Sequence, residues 1–284
     1  MRKIGVIGSG LMGAGIAQVA AQAGLHVLMT DQVDEALQSA VGRIRHGLKR
    51  LEDRGRLQED VDTIMGRIET TPQLPEFAGL GIVIEAISEQ EELKCALFAQ
   101  LDRICPPDTV LASNTSSISI TNIAAATQQP ERVVGMHFFN PVPAMQLVEV
   151  IRGVATADQT VATVTELGEQ LGKTVVHVSD TPGFVVNRIL LPMLVEAIYV
   201  LQEGGTSRED IDQAVKLGLG HPMGPLTLAD LIGLDTLLAI CEVYYREFGD
   251  PKYRPPILLR RYVTAGWLGR KSGKGFYDYA APSS

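Results

Sequence analysis

The sequence predicts two unlike halves: an α/β domain on a parallel sheet, residues 1–183, and an all-α C-terminal domain, residues 184–284. Three observations predict this. Short apolar runs alternate with amphipathic stretches as far as Val178, the pattern of a parallel sheet with helices on both faces. A glycine-rich turn, Gly8-Ser9-Gly10-Leu11-Met12-Gly13, joins the first apolar run to the first amphipathic stretch. From Gly183 onward the strand signal stops and only helical periodicity remains.

Each element follows from its residues. Ile4, Val6 and Ile7 make the first strand. Leu11 to Gly24, rich in Ala, Gln and Ile, reads as a helix, and His26 to Asp31 as a second strand that ends in an acid. In such a unit the first glycine permits the tight turn, the second lets backbone touch a pyrophosphate, and the third lets helix and strand pack closely. The helix N-terminus stabilises phosphate charge. The stretch therefore predicts a Rossmann-like NAD-binding domain, with Gly8, Ser9, Gly10, Leu11, Met12 and Gly13 around the pyrophosphate. Asp31 is placed to accept hydrogen bonds from the adenosine ribose diol. A carboxylate there repels the 2′-phosphate of NADP, and the next residues, Gln32 and Val33, carry no compensating charge; NAD is favoured.

Beyond Asp31, Leu37, Val41, Ile44, Leu48 and Leu51 recur at helical spacing across Asp34 to Arg54. A second helix is expected at Gln58 to Met65 and a third at Glu89 to Ile104. Strands are expected at 68–70, 82–86, 109–112, 133–137 and 147–150. A helix over 158–171 precedes a last strand at 174–178. The C-terminal half reads as helices over 184–203, 207–217, 226–247 and 256–265.

Composition bounds the function. At 284 residues, 45% hydrophobic and 20% charged, the chain fits a soluble globular protein of two domains. A net charge of −8 argues against general nucleic-acid binding. Cys95, Cys105 and Cys241 form neither a metal-ligand nor a redox spacing, which fits a reducing cytoplasm; no metal site is expected. The first strand begins near Lys3, leaving no room for a presequence. The most apolar long stretch, Phe184 to Leu201, carries Asn187, Arg188, Pro192 and Glu196, so no membrane span is expected. The one short biased tract is the Ala-Ala-Pro-Ser-Ser tail.

Ligands of open parallel sheets bind beyond the carboxyl ends of the strands. Ser116, His137, Glu149 and Asn187 fall at such places or at the domain junction. Ser116 lies in Ser113-Asn114-Thr115-Ser116-Ser117, directly after a strand. His137 opens His137-Phe138-Phe139-Asn140-Pro141. Glu149 sits among Leu147, Val148, Val150 and Ile151, where a carboxylate is costly unless paired. Asn187 follows Asp180-Thr181-Pro182-Gly183-Phe184. The plainer readings stand beside these. A histidine after a strand is often structural, Ser116 and Ser117 can cap the following helix (as Ser117 or Ser119 can alongside a functional Ser116), and Asn187 can bond a helix start. His26, His46 and His177 have no such context.

In order and spacing these motifs resemble the short-chain L-3-hydroxyacyl-CoA dehydrogenase family, most closely its bacterial branch acting on 3-hydroxybutyryl-CoA. The likeness runs through Gly220-His221-Pro222-Met223-Gly224-Pro225 to Gly273-Lys274-Gly275-Phe276-Tyr277. Ser116 to His137 spans 21 residues, His137 to Glu149 spans 12 and His137 to Asn187 spans 50, as in the family.

The resemblance implies reversible NAD-dependent oxidation of a short-chain (S)-3-hydroxyacyl-CoA to the 3-ketoacyl-CoA. His137 would be the general base, Glu149 the acid that orients it, and Ser116 and Asn187 donors to substrate oxygens. Glu89, Lys94, Ser116, Asn140 and Lys271 match cofactor-contacting positions, although Glu89 and Lys94 also read as ordinary residues at a helix start. Arg43, Arg45, Lys49, Arg50, Arg54 and Arg56 form a basic run on an otherwise acidic chain. Such a run is usually a solvated face, but the family uses this helix to bind coenzyme A phosphates. Lys49, Arg50 and Arg54 are the substrate-binding candidates; Arg54 matches a family lysine, and Gly47 replaces a serine of some members.

The helical half carries more apolar surface than it would bury alone, which, with the resemblance, implies a homodimer through the C-terminal domain. His221 is expected to be structural. The rivals are 3-hydroxyadipyl-CoA oxidation, a free-acid relative such as L-gulonate 3-dehydrogenase, and a catalytically silent nucleotide-binding or structural protein.

Overall fold

The computed structural model describes residues 3–279; the small-residue tail noted above lies outside them. The chain forms two compact units that join in sequence between Phe184 and Val185.

The first unit is α/β, as expected. Its strands are β1 (Lys3–Ile7), β2 (His26–Thr30), β3 (Ile68–Thr70), β4 (Ile82–Glu85), β5 (Val110–Ser113), β6 (Val133–Phe138), β7 (Leu147–Arg152) and β8 (Thr174–Ser179). They form one sheet in the order β3-β2-β1-β4-β5-β6-β7-β8. The reversal of order beside β1, together with the helical connections, is the doubly wound arrangement.

The helices of this unit are α1 (Leu11–Gln22), α2 (Asp34–Glu52), α3 (Val61–Met65), α4 (Glu91–Ile104), α5 (Ile120–Ala125) and α6 (Asp158–Gln170). Strand residues alternate between two cores, as a period of two requires. Val6, Met29, Ile84, Met136 and Val148 pack on the side of α1, α2 and α6. Ile7, Leu28, Val83, Leu111 and Ile151 pack on the side of α4 and α5, together with Phe184. Gly13 to Ala21 of α1 are buried, and the glycines and alanines among them let the helix lie close to the sheet.

Two expectations need correction in this unit. The sheet is not wholly parallel: β6 and β7 are antiparallel, while β7 and β8 are again parallel. Residues 139–146 are too few for a parallel crossover, which needs a dozen or more. The helix expected from Gln58 starts only at Val61, because Asp60 accepts the Thr63 amide and caps it there. The helix expected after the serine run is the short α5, and of the serines there it is Ser119 that caps it, accepting from the Asn122 amide.

The second unit is all-helical: α7 (Val186–Glu203), α8 (Arg208–Gly218), α9 (Pro225–Ile232), α10 (Leu234–Phe248) and α11 (Ile257–Thr264). Leu191, Leu194, Ile198, Leu226, Leu237, Tyr244 and Leu259 share its core. The single helix expected over 226–247 is two. Gly233 breaks it at φ 102°, a conformation that side chains rarely adopt.

Asp212 is buried against the start of α9, accepting the Leu226 amide at 2.8 Å and the Thr227 amide at 3.0 Å. A Cβ on Gly224 would lie 2.2 Å from its Cγ, so the Gly224-Pro225 pair is what admits this cap. Asp230 accepts the Phe276 and Tyr277 amides, both at 2.9 Å, and the Tyr279 hydroxyl at 3.0 Å. Burial pushes the Asp230 carboxyl up despite these donors. The Gly273–Tyr277 motif is thus a bracket around Asp230.

Candidate functional site

The glycine turn is built by three different constraints. Gly8 sits at φ 99°, and a Cβ there would lie 2.5 Å from the Ala86 carbonyl oxygen. A Cβ on Gly13 would lie 1.8 Å from the Gly8 carbonyl oxygen, so α1 can approach β1 only with glycine there. A Cβ on Gly10 would meet nothing within 4 Å; this glycine borders open space at the N-cap of α1, which has no side-chain cap. An uncapped helix start beside open space is a cradle for a phosphate.

Asp31 stands just beyond β2. Its Oδ2 accepts the Ser9 amide at 2.7 Å and the Ser9 hydroxyl at 2.8 Å; Oδ1 accepts the Val33 amide at 3.2 Å. Burial pushes its pKa up, but the Ser9 and Val33 donors outweigh this and hold the carboxyl below its ordinary value. An ionised carboxylate beside the turn suits a ribose diol and opposes a 2′-phosphate. The residues present therefore fit NAD.

At the carboxyl ends of β4 and β5 lies a buried charged cluster. Lys94 of α4 is 1% exposed and Glu85 of β4 is 0% exposed. Lys94 Nζ reaches Glu85 Oε1 at 2.5 Å and Glu89 Oε2 at 3.3 Å. Glu85 also accepts the Ser113 hydroxyl at 2.6 Å and the Ile87 amide at 2.7 Å. Glu89 Oε1 gathers the turn after β5, taking the Thr115 hydroxyl at 2.6 Å, the Ser116 amide at 2.8 Å and the Ser116 hydroxyl at 3.2 Å. Burial pushes Glu89 up, yet Lys94 and these donors bring its pKa below the usual carboxylate value. Glu89 and Lys94 are thus tied to β4 and to the turn after β5. Glu85 and Ser113 were not singled out from the sequence; the signal was a glutamate ending the apolar run Ile82-Val83-Ile84, the same signal that drew attention to Glu149.

His137 and Glu149 face each other across β6 and β7 as direct partners in register. Both are buried. His137 Nδ1 lies 2.8 Å from Glu149 Oε2. With Nδ1 engaged by the carboxylate, Nε2 is the nitrogen left for proton transfer. Phe139 and Phe184 flank the ring, at 4.4 and 5.7 Å between centroids. Phe184 holds φ 53°, costly for a bulky residue, and is buried in the α4/α5 core. Asn114 Oδ1 accepts the Phe138 amide at 2.9 Å and steadies the end of β6.

The alternation of the strands puts Glu85, Ser113, His137 and Glu149 on one face of the sheet, the face covered by α4 and α5.

The remaining expected residues are placed as follows. Asn140 is exposed beyond β6, before a cis bond to Pro141. Lys49 and Arg50 lie exposed near the end of α2, and Arg54 just after it. The basic run is not uniform: Arg45 pairs with Asp62 at 2.5 Å, and Arg43 donates to the Ser9 carbonyl at 2.6 Å. Gly47 faces Gln18, whose Oε1 would lie 3.0 Å from a Cβ there. In the helical unit, Asn187 is the second residue of α7, and Lys271 pairs with Asp235 at 2.6 Å. Asp180 accepts the Ser119 hydroxyl and the Ile120 and Thr121 amides, which seats the start of α5. Among the described residues, no helix is long and apolar enough to cross a membrane.

The chain matches two family models, the NAD binding domain of 3-hydroxyacyl-CoA dehydrogenase over residues 3–181 and the C-terminal domain of 3-hydroxyacyl-CoA dehydrogenase over residues 183–279. A Bacillus subtilis protein described as a probable 3-hydroxybutyryl-CoA dehydrogenase is 54% identical, covering 100% of this chain and 99% of that protein. A 3-hydroxybutyryl-CoA dehydrogenase of Bradyrhizobium diazoefficiens is 50% identical over 98% of this chain and 96% of its own length. The crystal structure of (S)-3-hydroxybutyryl-CoA dehydrogenase from Ralstonia eutropha superposes with a TM-score of 0.96 at 51% identity, covering 99% of this chain and 100% of that one.

Proposed function

This chain belongs to the 3-hydroxyacyl-CoA dehydrogenase family, and on that footing we propose that it oxidises short-chain (S)-3-hydroxyacyl-CoA, 3-hydroxybutyryl-CoA first, to the 3-ketoacyl-CoA, reversibly and with NAD. The observation that carries the reading is the buried His137–Glu149 pair, 2.8 Å apart on facing strands. Glu149 holds His137 with Nδ1 protonated and stabilises the imidazolium once Nε2 has taken the 3-hydroxyl proton. When bound, the nicotinamide supplies the hydride acceptor. In the reverse direction His137 returns the proton to the nascent alkoxide. Phe139 and Phe184 keep the ring in an apolar setting.

Glycines 8, 10 and 13 with Leu11 and Met12 cradle the pyrophosphate, and Asp31 accepts from the adenosine ribose. Glu89, Lys94, Asn140 and Lys271 are further cofactor-side residues. Ser116 and Asn187 are assigned to the substrate oxygens, and Lys49, Arg50 and Arg54 to the coenzyme A phosphates, for which an exposed basic stretch on an acidic protein is suited.

Residues 1–183 serve as the NAD-binding domain and 184–284 as the substrate and dimerisation domain. A homodimer through the helical half is supported by exposed Ile189, Leu217, Leu219 and Ile257. A cytoplasmic location is supported by free Cys95, Cys105 and Cys241.

The test follows NADH oxidation by the purified protein with acetoacetyl-CoA, beside NADPH and beside free acetoacetate. Turnover that needs both NADH and the thioester is the expected result. Activity only with a free hydroxy acid, in the oxidative direction, would replace the thioester reading with a gulonate-type one, and NADH binding without turnover on any acyl-CoA would favour a silent protein.

A further inference from the structure

Arg43 stands apart from the basic run to which it belongs. Its Nη2 crosses from α2 to donate to the Ser9 carbonyl at 2.6 Å, while Nη1 is braced by the Ser39 hydroxyl at 2.7 Å, one helical turn earlier. Ser9 is fully buried and is itself pinned from its other side, by its amide and hydroxyl, to Asp31. The residue before the second glycine is therefore clamped between a carboxylate just beyond β2 and a guanidinium on α2.

The planarity of the peptide gives this clamp a direction. In a trans peptide the carbonyl and the following N–H point opposite ways. Holding the Ser9 carbonyl toward Arg43 turns the Gly10 N–H away from α2, at the uncapped start of α1, where Gly10 borders open space. A cationic donor on the carbonyl also draws electron density through the amide and strengthens that N–H as a donor. A solvated surface arginine would show neither a tether to a buried turn 34 residues away nor a second anchor fixing its fork.

We propose that Arg43 is a positioning residue for the cofactor: it aims and polarises the Ser9–Gly10 peptide toward the pyrophosphate, and it is not part of the coenzyme A handle formed by its neighbours on α2. The inference rests on the NAD reading of the glycine turn. It divides the basic run by function, with Arg43 serving the dinucleotide and Lys49, Arg50 and Arg54 left for the thioester's phosphates.

The experiment is calorimetric titration of the full-length protein with NADH, beside the KM for acetoacetyl-CoA, for Arg43→Met, Arg43→Lys and Ser39→Ala. The methionine keeps bulk and removes the charge. It should raise the Kd for NADH about five- to ten-fold, the scale of a charge-assisted hydrogen bond discounted for exposure, with the thioester KM within about two-fold of the parent. The lysine can still reach one carbonyl and should recover part of the loss. Ser39→Ala loosens the fork and should raise the Kd about two-fold, a milder change that carries the test if Arg43→Met does not fold. An unchanged Kd for NADH with a raised thioester KM would return Arg43 to the substrate handle. An unchanged Kd with an unchanged KM would reduce the clamp to a surface brace. Failure of the parent protein to bind NADH would overturn the cofactor reading itself.

Discussion

Replacing Lys94 by Met would expose how much the buried cluster at the ends of β4 and β5 depends on one cation. Glu85 is 0% exposed, and among the described residues its cationic partner is Lys94 at 2.5 Å. In Lys94→Met, Glu85 keeps the Ser113 hydroxyl and the Ile87 amide but must hold its charge in the core or take up a proton. Breaking a buried pair from one side costs about 3–5 kcal/mol, because an uncompensated charge remains. The methionine restores the apolar stem volume, so little of the loss comes from a cavity. With a urea slope of ~3 kcal/mol/M, the midpoint of the first unit falls by about 1–1.7 M. The double variant Glu85→Gln/Lys94→Met removes both charges and should regain most of this. Urea unfolding at pH 7, followed by far-UV dichroism, measures all three proteins. A Lys94→Met midpoint within 0.3 M of the parent, or a double variant no more stable than the single one, would show that the cluster is not held by charge pairing.

Four other outcomes follow from the same structure. His137→Ala and Glu149→Gln should each lower kcat by roughly 10²–10⁴ with the fold intact; wild-type rates from either, in preparations free of host enzyme, would remove the pair from catalysis. Gly13→Ala places a Cβ 1.8 Å from the Gly8 carbonyl, so α1 must retreat from β1; NADH binding should fall below detection and the melting temperature should drop, and tight binding would contradict the close approach. Asp31→Ala should weaken discrimination against NADPH, measured as the ratio of kcat/KM for the two cofactors. Glu89 and Asp31 are both held below their ordinary pKa values. Their stabilisation is therefore complete above the unfolded values, about pH 4–4.5, and is lost as pH falls through the folded ones. Glu89→Gln should flatten the acid limb of a stability-against-pH curve, and an unaltered limb would contradict the assignment.

The alternation of apolar runs and amphipathic stretches made every strand of the sheet legible in the sequence. What it did not carry was direction. The short link 139–146 holds the information that β7 turns back, and length is weighed against crossover geometry only when neighbours in the sheet are known. The break at Gly233 was hidden because Leu226 to Ile240 keeps a helical apolar pattern straight through it, and one glycine costs a helix only about 1 kcal/mol. In the site, Glu149 was readable because a carboxylate among branched apolar residues demands a partner, and the family resemblance supplied His137 as that partner. Glu85 made the same demand at the end of β4, but its partners, Lys94 and Ser113, stand 9 and 28 residues away. The reach of Arg43 into the glycine turn was not readable either: spacing places it on an outward-facing basic stripe, and only the packing of α2 beside α1 brings its guanidinium back to Ser9.

The hairpin that carries His137 and Glu149 makes acid and base a matter of parity. Side chains on a strand alternate between faces, so sliding β7 by one residue against β6 would send the carboxylate to the α1/α6 side and bring Val148 or Val150 to face the imidazole. Length changes in the connecting link can be absorbed by the loop itself without moving either partner. A single residue inserted between Met136 and Phe138, or between Val148 and Val150, cannot. Variation in this protein should therefore be tolerated in the exposed stretch 143–146 of the arc, beyond Phe139, Asn140 and buried Val142, and punished within the strands, and deletion scanning across 134–151 would trace the address by which the two groups find each other.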